Sequence, residues 1–66
     1  MNVTINGEPQ NVAEGNTVAQ LLSAVQAPER GIAVAINGQV VRRSDFQDRL
    51  IGEGDRIEII TAVAGG

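Results

Sequence analysis

The chain has 66 residues and a formal charge of −3 at pH 7, from eight acidic and five basic residues, and it contains neither Cys nor His. Its length predicts one domain with a small core and little room for an enclosed active-site cleft. The composition excludes disulfides and Cys/His metal sites, and an acidic chain whose only aromatic residue is Phe46 argues against nucleic-acid binding.

The composition also sets an expectation about the compartment. No early apolar run has the length of a signal peptide or a membrane span, and the absence of Cys fits a reducing environment. We therefore expect a cytoplasmic protein that has no membrane partner and is a monomer when alone.

The beginning of the chain has the pattern of a β-hairpin. Apolar and polar residues alternate from Met1 to Asn6, as in a strand with one buried face, and Asn6-Gly7 is typical of a two-residue turn. We expect a second strand at about residues 10–13 with Val12 facing inward. Because proline has no backbone N–H, Pro9 requires this strand to start late or to lie at an edge of the sheet.

The next segment predicts an amphipathic helix. Thr17 and Gln20 have the spacing of a capping box, in which each side chain bonds the backbone N–H at the other position. Pro28 is expected to end the helix, because the residue before a proline disfavours helical geometry. Four apolar residues at helical spacing should face the core: Val18, Leu21, Leu22 and Val25.

A second hairpin follows the helix. The short apolar run Ile32–Ile36 predicts a strand inside the sheet, and Asn37-Gly38 predicts another tight turn. Residues 39–43 should return as a brief antiparallel strand. Residues 44–50 then predict a helical turn capped by Ser44, with Phe46 and Leu50 packed inward.

Residues 52–55 predict a turn and residues 56–63 a final strand. In this strand Ile57, Ile59 and Thr61 should face the helix, whereas Ile60 and Ala62 should face outward. The order of elements predicts an α+β fold of the β-grasp, or ubiquitin-like, class: a mixed sheet of four or five strands packed on one main helix. The expected core is Val3, Ile5, Leu21, Leu22, Val25, Val34, Ile36, Leu50, Ile57 and Ile59.

The side chains offer little for catalysis. The sequence has no Cys, His or Lys to act as a nucleophile or a tuned base. Two carboxylate pairs, Asp45/Asp48 and Glu53/Asp55, are expected to be solvated acids and not an acid/base or metal site. The sequence therefore predicts a binding or carrier role and not an independent enzyme.

The carboxylate of Gly66 is a candidate reactive group. It is inert until activated, for example as an ATP-derived mixed anhydride, so a partner would have to draw the tail into a nucleotide site. Glycines suit a narrow channel because they lack Cβ, and the extended segment Val63–Gly66 would reach about 13 to 14 Å. We predict a β-grasp domain at residues 1–63 and a flexible tail at residues 64–66.

Several segments of the chain resemble the ThiS-type sulfur carrier proteins of thiamine biosynthesis: "NTVAQLLSAV", "VAINGQVVRRSDF" and "GDRIEIITAVAGG". The resemblance covers essentially the whole chain. It is most specific at the Asn37-Gly38 turn that leads to Arg42, at the Gly54-Asp55 turn and at the final Ala64-Gly65-Gly66. It implies a carrier and not a catalyst, with no bound cofactor.

The resemblance also implies a reaction sequence at Gly66. A ThiF/MoeB-like adenylating protein would use ATP to adenylate the terminal carboxylate, and a donor such as a cysteine desulfurase would supply sulfur to form a thiocarboxylate. Thiazole synthase would then consume that sulfur. Gly65 and Ala64 would thread the tail into the partner. The expected partner contacts are Ile60, Ala62 and Arg42.

Other functions of the same fold remain open from the sequence. The chain could carry sulfur for molybdopterin, cysteine or siderophore synthesis, and it could be a ubiquitin-like modifier joined to target lysines or a plain interaction module. A modifier predicts conjugates of higher mass on a denaturing gel. A plain module predicts that deletion of Gly65 and Gly66 has no effect.

Overall fold

The computed structural model describes residues 1–28 and 30–61. Within these residues the chain forms five strands, one α-helix and one short 3-10 helix, in the predicted order. The elements are β1 (Asn2–Ile5), β2 (Glu8–Asn11), α1 (Val18–Ala24), β3 (Ile32–Ile36), β4 (Gln39–Val41), the 3-10 helix (Arg43–Asp45) and β5 (Arg56–Thr61).

The strands form one mixed sheet in the order β2-β1-β5-β3-β4. The central pair, β1 and β5, is parallel, whereas β1/β2, β3/β4 and β3/β5 are antiparallel. α1 connects the two hairpins along the chain, and the last strand, β5, lies between them in the sheet. The predicted β-grasp architecture, a five-stranded mixed sheet on one helix, is confirmed.

The first hairpin turns at Asn6-Gly7, where both residues have positive φ angles of 52° and 84°. Two positive φ angles are the requirement of a type I′ turn. β2 begins at Glu8, so the expected late start is wrong, but its expected place at an edge is confirmed. Pro9 lies opposite Thr4 in a pair that exchanges no hydrogen bonds, so the missing N–H is on the open edge.

The capping box at the start of α1 is confirmed. The Thr17 backbone N–H donates to Gln20 Oε1 at 2.8 Å, and the Gln20 backbone N–H donates to Thr17 Oγ1 at 3.3 Å. Two further amides of the first turn, those of Val18 and Ala19, donate to the carbonyls of Arg49 and Phe46. The start of the helix is therefore bonded both to its own cap and to the segment that crosses it.

The helix ends earlier than Pro28 predicted. Gln26 takes a left-handed conformation with a φ of 57°. Its N–H donates to the Ser23 carbonyl at 3.1 Å, and the Ala27 N–H donates to the Leu22 carbonyl at 2.9 Å, which is a Schellman motif. This motif ends the helix at Ala24 and leaves Val25 38% exposed, so the prediction that Val25 is in the core is wrong.

The segment after β4 also departs from the expected helical turn. The 3-10 helix begins after Arg42 and has no side-chain cap, so the predicted cap at Ser44 is wrong. Leu50 forms an isolated antiparallel bridge with Thr17, which makes the backbone extended there. Neighbouring side chains of an extended segment face opposite sides. Leu50 is accordingly 57% exposed. Ile51, which is 4% exposed, occupies the place in the core that was predicted for Leu50.

The core lies between α1 and one face of the sheet. Seven of the predicted core residues are buried, and Ile59 is partly buried against them together with Phe46 and Val12. The buried residues are Val3, Ile5, Val18, Leu21, Leu22, Val34, Ile36, Ile51 and Ile57.

Candidate functional site

The candidate site begins at β5, the strand that leads toward the predicted tail. β5 lies in the middle of the sheet and pairs with β3 over five register positions, from Ile36↔Ile57 to Ile32↔Thr61. The chain is therefore held by pairing with β3 as far as Thr61. The predicted site residues Ala62, Ala64, Gly65 and Gly66 lie outside the described residues.

The side chains of β5 alternate between the two faces of the sheet, as predicted. Ile57 is fully buried under α1, and Ile59 is partly buried on the same face. Ile60 is on the opposite face with 58% of its surface exposed. Thr61, which was expected to face the helix, is exposed at the end of the strand. The outward position of Ile60 makes it available to a partner.

Ile60 belongs to an apolar area on the sheet face opposite the helix. We call it the outer patch: Ala33, Ala35, Val40 and Ile60. The registers place Ala33 beside Ile60 and Ala35 beside Val40, and Val40 is 76% exposed. Exposed apolar residues grouped on one face are typical of interaction surfaces. The sequence pattern identified Ile60 but missed Val40, because its place on this face depends on the strand pairing.

Arg42 lies at the rim of the outer patch. It follows β4 in an extended conformation, and continuation of the β3–β4 register places it opposite Ala33, the register partner of Ile60. Glu58 lies opposite Ala35 on the same face. The fold thus brings the two described partner-contact predictions, Ile60 and Arg42, into one row across the sheet, and the rim carries one positive and one negative charge.

The carboxylate pair Glu53/Asp55 lies in the turn before β5, where Glu53 is exposed, as expected, and Asp55 is partly buried; both carboxylates also hold the turn. Asp55 accepts from the Gly52 N–H at 2.7 Å and from Asn37 Nδ2 at 3.0 Å, and Glu53 accepts from the Asn2 N–H at 3.0 Å. These bonds join the turn to both hairpins. The sequence could not show them because the partners are 18 and 51 residues away.

No catalytic constellation is found in residues 1–28 and 30–61. All of their buried residues are apolar, and they contain no cluster of three potential metal ligands. Concavities of about 420 and 300 Å³ are present. Their charged lining residues are Arg43 in the first and Asp45, Asp48 and Arg49 in the second. A carboxylate can act as a nucleophile, but Asp45 and Asp48 are exposed to solvent, and the sequence has no His, Cys or Lys to assist them.

Comparison with known proteins identifies the family. The family model described as the ThiS family matches residues 3–66. The chain belongs to the ThiS family. It is 33% identical to the sulfur carrier protein ThiS of Escherichia coli, over the full length of both chains. The crystal structure of the thiamine biosynthesis protein ThiS from Geobacter metallireducens superposes with a TM-score of 0.87, at 36% identity and with complete coverage of both chains.

Membership of the ThiS family confirms the resemblance and the ubiquitin-like fold that the sequence predicted. It also confirms the prediction of a carrier and not an enzyme. The helix of the described region is too short to cross a membrane.

A ThiS-like module also occurs within a larger protein. The whole chain matches a thiazole synthase of Paramagnetospirillum magneticum at 33% identity but spans only 20% of its length. In that relative, the ThiS-like sequence and the remaining four-fifths are parts of one polypeptide. The match associates the ThiS fold with a thiazole synthase.

Proposed function

We propose that this ThiS-family chain is a sulfur carrier for thiamine biosynthesis and that the carboxylate of Gly66 carries the sulfur. The observation that supports this most is the full-length match to the sulfur carrier protein of E. coli, together with a family match that includes Gly66. The residues described here supply no chemistry of their own, which suits a protein whose reactive group is handled by partners.

The reaction at Gly66 has two steps. A carboxylate oxygen attacks the α-phosphorus of ATP, forms an acyl adenylate and releases pyrophosphate. A sulfur nucleophile at the oxidation level of sulfide then attacks the carbonyl carbon, and AMP leaves with the carbon–oxygen bond electrons. The product is a thiocarboxylate. A ThiF/MoeB-like adenylating protein supplies the nucleotide site. A donor such as a cysteine desulfurase supplies the sulfur as a persulfide, and a thiol reduces it to the level of sulfide while becoming part of a disulfide.

The outer patch is the proposed docking surface for the adenylating protein. Ile60 exposes apolar surface on β5, the strand that leads toward the tail, and Val40 of β4 exposes apolar surface on the same face of the sheet. Burial of such residues at an interface is favourable, and a partner seated there would receive the tail beside it. The positive charge of Arg42 at the rim would orient the adenylating protein on the outer patch, and Ala62 would extend the contact surface between the two proteins.

Thiazole synthase is the proposed consumer of the sulfur. The joining of a ThiS-like module and a thiazole synthase in one relative supports a direct encounter between the two activities. In this proposal, Ala64 and Gly65 let the tail enter the synthase, since neither carries a side chain beyond Cβ. The cytoplasm is the proposed compartment, because its reducing conditions preserve reduced sulfur.

Intact-mass spectrometry tests the proposal directly. The chain is incubated with a ThiF/MoeB-like protein of its own organism, ATP and sodium sulfide. We expect a mass increase equal to the difference between a sulfur and an oxygen atom, located by fragmentation at Gly66, and no increase without ATP. Conjugates of higher mass would favour a ubiquitin-like modifier, and an unchanged mass would contradict the proposal.

The position of the carboxylate provides a second test. One Ala appended after Gly66 moves the carboxylate by about 3.5 Å, and misplacement by 1 Å can cost on the order of 100-fold in rate. We expect loss of ATP–pyrophosphate exchange with an unchanged melting temperature. Gly65→Ala and Gly65→Val form a graded pair, in which the β-branched residue should slow exchange more. Normal exchange from the extended chain would contradict the role of Gly66.

A further inference from the structure

Asn6 lies where β1 stops and β5 continues. Its backbone N–H donates to the Ile57 carbonyl at 2.8 Å, which completes the parallel pairing of β1 with β5. The chain then turns away into β2 through the type I′ turn. β5, however, continues to Thr61. The part of β5 nearest the tail therefore extends beyond the backbone of β1.

The side chain of Asn6 continues the ladder in place of the missing strand. The Ile59 backbone N–H donates to Asn6 Oδ1 at 2.8 Å, and Asn6 Nδ2 donates to the Ile59 carbonyl at 3.2 Å. A side-chain amide has the same donor and acceptor as a peptide group. Asn6 thus bonds both backbone groups of Ile59, as a residue of a neighbouring strand would.

These two bonds lie on the side of β5 that β3 cannot reach. The carbonyls of Asp55 and Ile57 accept from Thr4 and Asn6 on the β1 side. Backbone groups alternate in direction along a strand, so Glu58 and Ile60 bond toward β3 and Ile59 bonds toward β1. Without the Asn6 amide, the described end of β5 would be held from one side only.

From this geometry we propose that Asn6 is a positioning residue for the carrier reaction. Its amide fixes Ile59, and through Ile59 it sets the orientation of Ile60 in the outer patch and the direction in which the chain leaves the sheet toward Gly66. The inference rests on the proposed function, because it assigns Asn6 to the presentation of that tail. The proposed role of Asn6 acts through Ile59 and not through contact with the reacting atoms.

The type I′ turn by itself does not require the side-chain amide of Asn6. Glycine adopts the positive φ of this position at no steric cost, and asparagine is merely tolerated there. Asn6→Gly therefore keeps the backbone of the turn and removes only the two bonds to Ile59. This makes it a cleaner variant than a substitution that also strains the turn.

Asn37 offers a matched control in the other hairpin. It occupies the same position of the same kind of turn, with a φ of 53°, and it also bonds β5 through its side chain. Its Oδ1 accepts from the Arg56 N–H at 2.9 Å, and its Nδ2 donates to Asp55. Asn37 thus holds the start of β5, whereas Asn6 holds the part nearest the tail.

Amide hydrogen exchange by NMR measures the positioning on the isolated chain. In Asn6→Gly we expect the Ile59 amide to exchange about tenfold faster relative to that of Ile57, because one hydrogen bond to Ile59 is lost locally. Asn37→Gly should leave this ratio unchanged. Equal acceleration of both amides in Asn6→Gly would indicate a general loss of stability and would overturn the proposal.

Steady-state kinetics with the adenylating partner measures the consequence. Asn6→Gly should raise the KM for the carrier about tenfold and leave kcat within about twofold, because fewer molecules present the strand in the competent orientation. Asn37→Gly should keep both constants near those of the unmodified chain. A lower kcat at an unchanged KM, or equal effects of the two variants, would overturn the proposal.

The two measurements separate this inference from the proposed function. If the unmodified chain supports no pyrophosphate exchange, the proposed function is wrong, and so is the role of Asn6 in that reaction. The hydrogen-exchange ratio would still show whether Asn6 holds Ile59. If the unmodified chain is active and the ratio does not change in Asn6→Gly, only the positioning role is wrong.

Discussion

The two faces of the sheet use the same kind of residue for different purposes. Ile57 and Ile60 are both on β5, yet Ile57 is completely buried under α1 and Ile60 is mostly exposed in the outer patch. Full burial of an isoleucine contributes about 1.5 to 3 kcal/mol to folding. An exposed isoleucine contributes little, and its apolar surface remains available for binding. One strand thus joins a face that stabilises the fold to a face suited to a partner.

The largest effect should come from a pair of truncations that compares these faces directly. Ile57→Ala should lower the free energy of unfolding by about 2 to 5 kcal/mol, because it leaves a cavity in the core. Ile60→Ala should change it by about 0.5 kcal/mol or less. Urea denaturation of both variants measures the difference. Similar losses would mean that the two faces do not differ in this way.

Buried and exposed apolar side chains should also differ in their contribution to stability outside the strands, at the neighbours Leu50 and Ile51. Ile51→Ala should cost about 2 to 5 kcal/mol, because the side chain is buried. Leu50→Ala should cost less than about 1 kcal/mol, because most of that side chain is in solvent. Thermal melting can rank the two. A larger loss of stability in Leu50→Ala than in Ile51→Ala would support the helical turn predicted from the sequence, in which Leu50 faces the core.

The outer face should respond to charge through binding and not through stability. Ile60→Glu should leave the melting temperature nearly unchanged and weaken binding to the adenylating partner by at least about tenfold, because it buries an unpaired charge at the interface. Gln10→Glu is a matched control, since it adds the same charge at an exposed position on the opposite edge strand. Calorimetry that finds equal affinities would remove Ile60 from the docking surface.

The smallest predicted effect concerns the end of α1, where the buried face of the helix stops. Gln26→Gly should raise the free energy of unfolding by about 0.5 to 1 kcal/mol, because glycine adopts the left-handed conformation without strain. Ser23→Gly, inside the helix, should lower it by a similar amount. A loss of stability in both variants would contradict the Schellman motif.

Local patterns were sufficient to predict most of the fold. The alternation in β1 and β5, the capping box at Thr17 and the two Asn-Gly turns each depend on residues a few positions apart, and all of them are confirmed. These features follow from backbone sterics and from the periods of strands and helices. The same patterns placed Ile60 on the outer face.

The sequence by itself therefore determined the order of the elements, the buried helix residues Val18, Leu21 and Leu22, and the alternation of β5. The tertiary structure decided what depends on distant partners. The bridge to Thr17 turned Leu50 outward, the pairing of β3 with β5 placed Ala33 beside Ile60 in the outer patch, and Ile59 received the amide of Asn6, 53 residues away. Such contacts form only when the chain is folded, so no local period can encode them.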